Sequence, residues 1–147
     1  MLTLCIPDAF DRTGEKYHIP DGIKALESKY DFKITRVPED KGPITKVYYS
    51  LLEYSRPDDI IISIDDDICY HDRFIEELLD AHKNKPECLL GFMGNDPPRR
   101  PFVHAEYVQS GHSDQRIFTP VTILGGYRGI LFPRKLVHAD FFAGLMS

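Results

Sequence analysis

The stretch Ile60-Ile61-Ile62-Ser63-Ile64-Asp65-Asp66-Asp67 decides the fold, because an apolar strand runs directly into three consecutive carboxylates. Four isoleucines in five positions predict a strand that is covered on both faces, as strands of parallel sheets are. Unpaired charge is expensive to bury, so the three acids must lie where the strand leaves the core. A divalent cation is the simplest partner for adjacent carboxylates, since Mg²⁺ and Mn²⁺ prefer oxygen ligands. The alternative is a solvated acidic turn before a helix.

Bulk composition limits the classes of protein to which the chain can belong. Its 147 residues predict one domain, residues 1–147, with a substantial core. A net charge of −5 gives no reason to expect a nucleic-acid partner. No apolar run has the length of a membrane span, and the N-terminus lacks the pattern of a signal peptide. The cysteines are three, an odd number without metal-binding spacing, which indicates reduced thiols and a cytoplasmic location.

Strand and helix patterns alternate along the chain. The predicted strands cover residues 2–6, 32–37, 60–64, 88–93, 102–108, 120–124 and 130–134, and the predicted helices cover residues 21–30, 43–55 and 72–84, the last capped by Asp72. Alternation through residues 30–93 predicts right-handed βαβ units, and therefore an α/β fold with a mostly parallel, twisted sheet flanked by helices. Ligands of such sheets bind outside the carboxyl ends of the strands, which is where the acids lie.

The three acids are not equivalent if the strand continues through them. Side chains alternate along an extended strand, so Asp65 and Asp67 would point to one side and Asp66 to the other. Two carboxylates on one side could hold a metal ion, or one of them could bind the hydroxyls of a ribose.

Two further segments have a composition typical of ligand contacts. Gly42-Pro43-Ile44-Thr45-Lys46 opens a predicted helix, where free N–H groups favour anions, and Lys46 could meet a phosphate. The alternative is a solvated helix start. Gly125-Gly126-Tyr127-Arg128-Gly129 has three glycines in five residues, which indicates either close approach of the backbone to a ligand or a tight turn. Tyr127 could stack on a sugar ring or pack in the core.

These segments occur in an order that one family shares. The chain resembles nucleotide-sugar glycosyltransferases of the GT-A fold, in which a D-x-D follows a buried apolar strand. It is most similar to small bacterial and viral members that carry a D-x-G-P-x-T-K segment one helix upstream, here residues 40–46. The similarity continues through residues 65–70 and 125–132 and spans residues 30–135. Three motifs in the correct order are more specific than any one of them.

The resemblance implies a single GT-A-like nucleotide-sugar-binding domain with a Rossmann-like α/β architecture. It maps the metal ligand onto Asp67, and it maps Asp65 onto the acid near the ribose or the metal. The implied cofactor is Mn²⁺ or Mg²⁺, and the implied partners are a nucleotide diphosphate sugar, with UDP as the expected nucleotide, and a glycan or other hydroxyl acceptor. The donor-binding residues expected in this way are Asp65, Asp66, Lys46, Gly125, Gly126 and Tyr127.

The chain departs from the family pattern at both ends. Family domains usually begin with another strand and helix that contact the nucleotide, and they usually carry an acidic pair after the glycine segment. Here Asp140 is the only acid that follows that segment. We therefore expect the chain to lack parts of the full family domain, and the sequence assigns no catalytic base.

Two other functions fit parts of the pattern. An apolar strand that ends in D-x-D also opens haloacid-dehalogenase-type phosphatases, in which the first acid, here Asp65, is the nucleophile. That pattern has Thr or Val at the position of Cys69, and it usually lies near the N-terminus. A non-catalytic module that binds a nucleotide sugar or a glycan is the third interpretation.

Overall fold

The computed structural model describes residues 1–95, 105–109, 117–121, 123–138 and 140, at 105–109 and 117–120 for the backbone alone. The strands are β1 Leu2–Pro7, β2 Phe32–Val37, β3 Ile60–Ser63, β4 Leu89–Gly91, β5 Gly94–Asn95, β6 Ala105–Gln109, β7 Ile117–Val121, β8 Ile123–Leu124 and β9 Ile130–Pro133. The α-helices are α1 Asp21–Lys24, α2 Leu26–Lys29, α3 Thr45–Glu53 and α4 Phe74–Asn84, and single 3-10 turns cover Gly42–Ile44 and Gly126–Arg128.

Five of the described strands form the central sheet, in the spatial order β3-β9-β4-β6-β7. Strand β9 lies antiparallel between β3 and β4, so β3 and β4 run in the same direction. Strand β6 is parallel to β4, and β7 returns antiparallel to β6. The short strands β5 and β8 form a separate antiparallel pair.

Helix α3 covers one face of this sheet. Val47 and Leu51 are four residues apart and therefore share one side of the helix. They pack against Ile61 of β3 and Phe132 of β9, and Leu51 is fully buried. Burial of a leucine of this kind stabilises the fold by roughly 1.5–3 kcal/mol, so α3 is fixed firmly over the strand that carries the acids.

Helix α4 covers the opposite face. Phe74 and Leu78 repeat the four-residue spacing, and they pack with Leu90 of β4 and Leu131 of β9. Successive residues of a strand point to opposite faces, which explains why Leu131 joins this cluster while its neighbour Phe132 joins the α3 cluster. The sheet thus lies between the two helices.

Strands β1 and β2 form a parallel pair of their own beside β3. A cavity of about 290 Å³ separates β1 from β3, and α3 contacts both strands. The first residues of β1 line this cavity with Ile60, at the start of β3, whereas Pro7, at the end of β1, lines a second cavity with Asp65. Strands β1 and β3 therefore run in the same direction, and their carboxyl ends lie together.

The predicted α/β composition is confirmed, but the sheet is mixed rather than mostly parallel. Of the described strand pairs, β1–β2 and β4–β6 are parallel and the other four are antiparallel. The physical reason is that β9 returns between two strands of common direction, and this long-range pairing leaves no local pattern in the sequence.

The acid-bearing strand is shorter and less buried than predicted. Strand β3 ends at Ser63, and Ile60 is 39% exposed because it lines the cavity beside β1. Asp66 and Asp67 lie in a turn. The predicted alternation of the three acids is therefore wrong in its premise, since it requires an extended strand through all of them.

Helix boundaries also differ from the predictions. The helix predicted at residues 21–30 is the two short helices α1 and α2. Helix α4 begins at Phe74 after Arg73, without a side-chain cap, so Asp72 is not the cap. Leu52 of α3 and Ile75 of α4 are each 53% exposed, because each helix buries only a narrow stripe against the strands. Of the strand predicted at 102–108, residues 102–104 lie outside the described part.

Candidate functional site

Lys46 brings two of the predicted segments into contact. Its side chain extends from the first turn of α3 to the end of β3, where the ammonium pairs with the Asp65 carboxylate and donates to the Ile64 carbonyl at 3.2 Å. Both partners of the ion pair are about one-third exposed or less. The sequence predicted both residues as donor contacts but did not predict that they pair with each other.

The start of α3 is stabilised by an exchange of hydrogen bonds between Asp40 and Thr45. The Asp40 carboxylate accepts from the Gly42 N–H at 2.8 Å and from the Thr45 hydroxyl at 3.4 Å. The Thr45 hydroxyl in turn accepts from the Lys41 N–H at 2.8 Å. Gly42 has φ of +62°, a conformation that glycine adopts most easily. These bonds hold the backbone from which Lys46 extends.

A cavity of about 220 Å³ lies between these groups. It is at the carboxyl ends of β1 and β3, where ligands of α/β sheets commonly bind. We call the side of the site formed by residues 40–46 and Asp65 the polar wall. The cavity is lined by Cys5, Pro7, Asp40, Gly42, Pro43, Thr45, Lys46 and Asp65.

The other two acids lie at the tip of a short loop, residues 65–70. Asp66 and Asp67 are exposed in its turn, and neither side chain has a hydrogen bond or ion pair with a described residue. Their charges still act on the surroundings, because both carboxylates oppose the effect of burial on Lys46. The loop therefore presents two solvated carboxylates beside the polar wall.

Tyr70 closes this loop and connects it to residues 125–129, which we call the glycine segment. The Asp65 N–H donates to the Tyr70 hydroxyl at 3.0 Å, and that hydroxyl donates to the Tyr127 carbonyl at 3.3 Å. The sequence did not predict this role, because no periodicity or motif marks a side chain that bonds to backbone groups 5 and 57 residues away.

Aromatic rings pack behind the loop. Tyr70 lies 4.4 Å from Phe74 and Phe74 lies 5.2 Å from Phe92, measured between ring centroids. With Tyr127 they line a cavity of about 330 Å³ that also includes residues 68–71. We call the side of the site formed by Tyr70, Phe74, Phe92 and Tyr127 the aromatic wall. Phe74 is only 5% exposed, so this wall is anchored in the core.

The glycine segment is fitted against the aromatic wall. Gly129 has φ of +81°, and a Cβ added there would lie 2.9 Å from Cε2 of Phe74 and closer still to Cζ. Gly125 donates to the Met93 carbonyl at 2.8 Å, and the Tyr127 hydroxyl contacts the Met93 sulfur. Gly126 has open space around it. Gly129 is therefore explained by the close approach of its backbone to Phe74 of the same chain, without any contact with a ligand.

Burial shifts the pKa of both Lys46 and Tyr70, the two side chains that connect the segments of the site. It lowers the pKa of Lys46, with the carboxylates of Asp66 and Asp67 acting in the opposite direction. Burial, and to a lesser extent the charge of Asp67, raises the pKa of Tyr70. The Tyr70 phenol therefore stays protonated at neutral pH, which it must be to donate to Tyr127.

The number of carboxylates near the site determines whether a divalent cation fits here. In the part of the chain that the structure describes, no three His, Cys, Asp or Glu side chains are grouped to share an ion. Mg²⁺ commonly needs only one or two protein carboxylates, because substrate phosphates and water complete its shell. Asp67 is exposed and meets that smaller requirement, with Asp65 as a second carboxylate if the ion takes the place of Lys46.

Comparison with known proteins found no matching family model, no similar curated protein and no similar solved structure. Among the described residues, no helix is long and apolar enough to cross a membrane. All three cysteines are free thiols.

Proposed function

We propose that this chain is a metal-dependent glycosyltransferase domain of Rossmann-like GT-A architecture. It transfers a sugar from a nucleotide diphosphate sugar, UDP being the expected nucleotide, to a hydroxyl of a glycan or related acceptor. The observation that carries the proposal is the convergence of residues 40–46, 65–70 and 125–129, through Lys46 and Tyr70, at one end of the strands. The same three segments carry the family resemblance. The free thiols are compatible with a cytosolic location, which is part of the proposal.

The polar wall supplies the charges that a diphosphate needs. Lys46 is half-buried and is held at the mouth of the cavity by Asp65. A charged donor at such a site makes hydrogen bonds about twice as strong as neutral ones. In the proposal Lys46 binds a phosphate oxygen, and the hydrogen bonds of Asp40 and Thr45 keep its backbone in place.

The loop of residues 65–70, which we call the acid loop, supplies the proposed cation site. Asp67 is the proposed metal ligand, and Asp65 is the second carboxylate for the metal or the ribose hydroxyls. Asp66 is exposed beside Asp67 in the same turn, and with it completes the proposed donor-binding acids. Bound there, Mn²⁺ or Mg²⁺ would neutralise charge on the leaving diphosphate. Gly125, Gly126 and Tyr127 are the proposed contacts of the donor sugar, and the described residues assign no catalytic base.

Isothermal titration calorimetry with UDP, with and without Mn²⁺, tests the proposal. We expect binding that requires the metal and that is lost in Asp67→Ala. Asp58→Ala is the matched control, because Asp58 is an exposed acid in another loop. Binding without metal dependence, or no binding of any nucleotide diphosphate, would contradict the proposal.

Two further measurements separate the other functions. Incubation with a phosphomonoester should leave no acyl phosphate on Asp65, whereas a phosphorylated Asp65 would show that the chain is a phosphatase. Release of free sugar from UDP-sugars would show catalysis, and metal-dependent binding without any turnover would indicate a binding module.

A further inference from the structure

The loop that carries Asp66 and Asp67 is held at both of its ends. At one end the Asp65 carboxylate is fixed by Lys46, and the Asp65 N–H is fixed by the Tyr70 hydroxyl. At the other end Tyr70 itself packs against Phe74. Because Tyr70 bonds back to Asp65, the two exposed carboxylates occupy a loop closed by a side chain. Without that bond the two ends would be held separately, one by Lys46 and the other by Phe74.

The same hydroxyl also reaches the glycine segment. It donates to the Tyr127 carbonyl at 3.3 Å, so one oxygen connects backbone groups of two segments that are far apart in the sequence. Phe74 supports both sides of this connection, since its ring contacts Tyr70 and fills the space that a side chain at position 129 would occupy. The relative position of the acid loop and the glycine segment therefore depends on Tyr70 and Phe74.

We propose that the Tyr70 hydroxyl is a positioning group that holds the acid loop in its metal-binding conformation and fixes it relative to the glycine segment. This inference rests on the proposed function. A site that is fixed before its ligand arrives avoids the entropic cost of ordering on binding. Tyr70 then contributes to affinity for the metal–nucleotide complex without contacting it.

The test is Tyr70→Phe, which removes the hydroxyl and keeps the ring against Phe74. Loss of a part-buried hydrogen bond to backbone groups is expected to weaken binding of Mn²⁺–UDP about five- to tenfold. Tyr54→Phe is the matched control, because the one hydrogen bond of that hydroxyl to a described residue is a long one, to the Met1 sulfur at 4.0 Å. Its affinity should equal that of the wild type.

Amide hydrogen exchange supplies a readout that ring packing does not affect. In the wild type the Asp65 N–H should be protected, and in Tyr70→Phe it should exchange faster while the amides of α4 keep their protection. An unprotected Asp65 N–H in the wild type would overturn the inference without any variant.

The possible outcomes distinguish this inference from the function on which it rests. If the wild type does not bind Mn²⁺–UDP, the proposed function is refuted. If the wild type and Tyr70→Phe bind with equal affinity, the function stands and the positioning role is refuted. A lower unfolding temperature of Tyr70→Phe with unchanged affinity would likewise show that the hydroxyl serves only the fold.

Discussion

The polar wall and the aromatic wall of the site are held together by different forces. Lys46 and Asp65 in the polar wall are joined by an ion pair that solvent can reach. In the aromatic wall, Phe74 is 5% exposed and Gly129 fits against it without room for a methyl group. An ion pair that solvent reaches contributes little to stability and can be exchanged for contacts with a ligand at small cost, whereas close-packed rings cannot rearrange freely. From this difference we expect the phosphates of the ligand to bind at the polar wall, and we expect the aromatic wall to keep its conformation when a ligand binds.

Substitution of Gly129 is the strongest test of the aromatic wall. Gly129→Ala should lower the free energy of unfolding by about 2–4 kcal/mol, because the methyl group collides with Phe74 and the backbone conformation becomes strained. Chemical denaturation measures the effect. Gly126→Ala is the control and should have little effect, since nothing lies within 4 Å of a Cβ added there. Equal losses for the two variants would show that Gly129 is not specially packed.

Substitution of Lys46 tests the polar wall through ligand affinity. Lys46→Met should weaken Mn²⁺–UDP binding about ten- to a hundredfold. It removes the ammonium that would donate a hydrogen bond to a phosphate oxygen, and it leaves Asp65 without its ion-pair partner. Calorimetric titration gives the dissociation constant. Lys33→Met is matched, since Lys33 also pairs with an acid, Glu53, away from the site. Wild-type affinity in Lys46→Met would mean that the polar wall does not bind phosphate.

Two threonines, Thr45 in the polar wall and Thr35 in β2, differ in whether their hydroxyls are hydrogen-bonded. Thr45 is 6% exposed, accepts from Lys41 and donates to Asp40. Thr45→Val should therefore cost about 1–2 kcal/mol of stability. The buried hydroxyl of Thr35 has no hydrogen-bond partner among the described residues, so Thr35→Val should be neutral or slightly stabilising. Denaturation curves decide, and a larger loss at position 35 would contradict this account.

The two walls also differ in how far the sequence could predict them. Lys46 and the acids were found because a helix start and a strand end leave local patterns. The order of the strands could not be read, since β9 pairs with β3 across some seventy residues of chain. Tyr70 and Phe74 were missed as site residues because their contacts with the glycine segment exist only after the sheet and α4 have come together. The charged residues of the site were predictable from local patterns, but the side chains that hold them in position were not.

Two cysteines report which wall a nucleotide contacts. Cys69 is exposed and lines the cavity beside the aromatic wall, so it should react fastest with an alkylating reagent. Cys5 lines the polar cavity, and burial raises its pKa, which lowers its thiolate fraction and its rate. Cys88 is buried and should react last.

Mn²⁺–UDP should then slow the modification of Cys5 more than that of Cys69, because the phosphates occupy the cavity of the polar wall. Mass spectrometry of alkylated peptides measures each rate separately, and Cys88 serves as the internal control for global unfolding. Stronger protection of Cys69 than of Cys5 would place the nucleotide on the aromatic wall and contradict the expectation that the polar wall binds the phosphates. The effect is the smallest of those predicted, since it changes a rate severalfold without changing the stability of the fold.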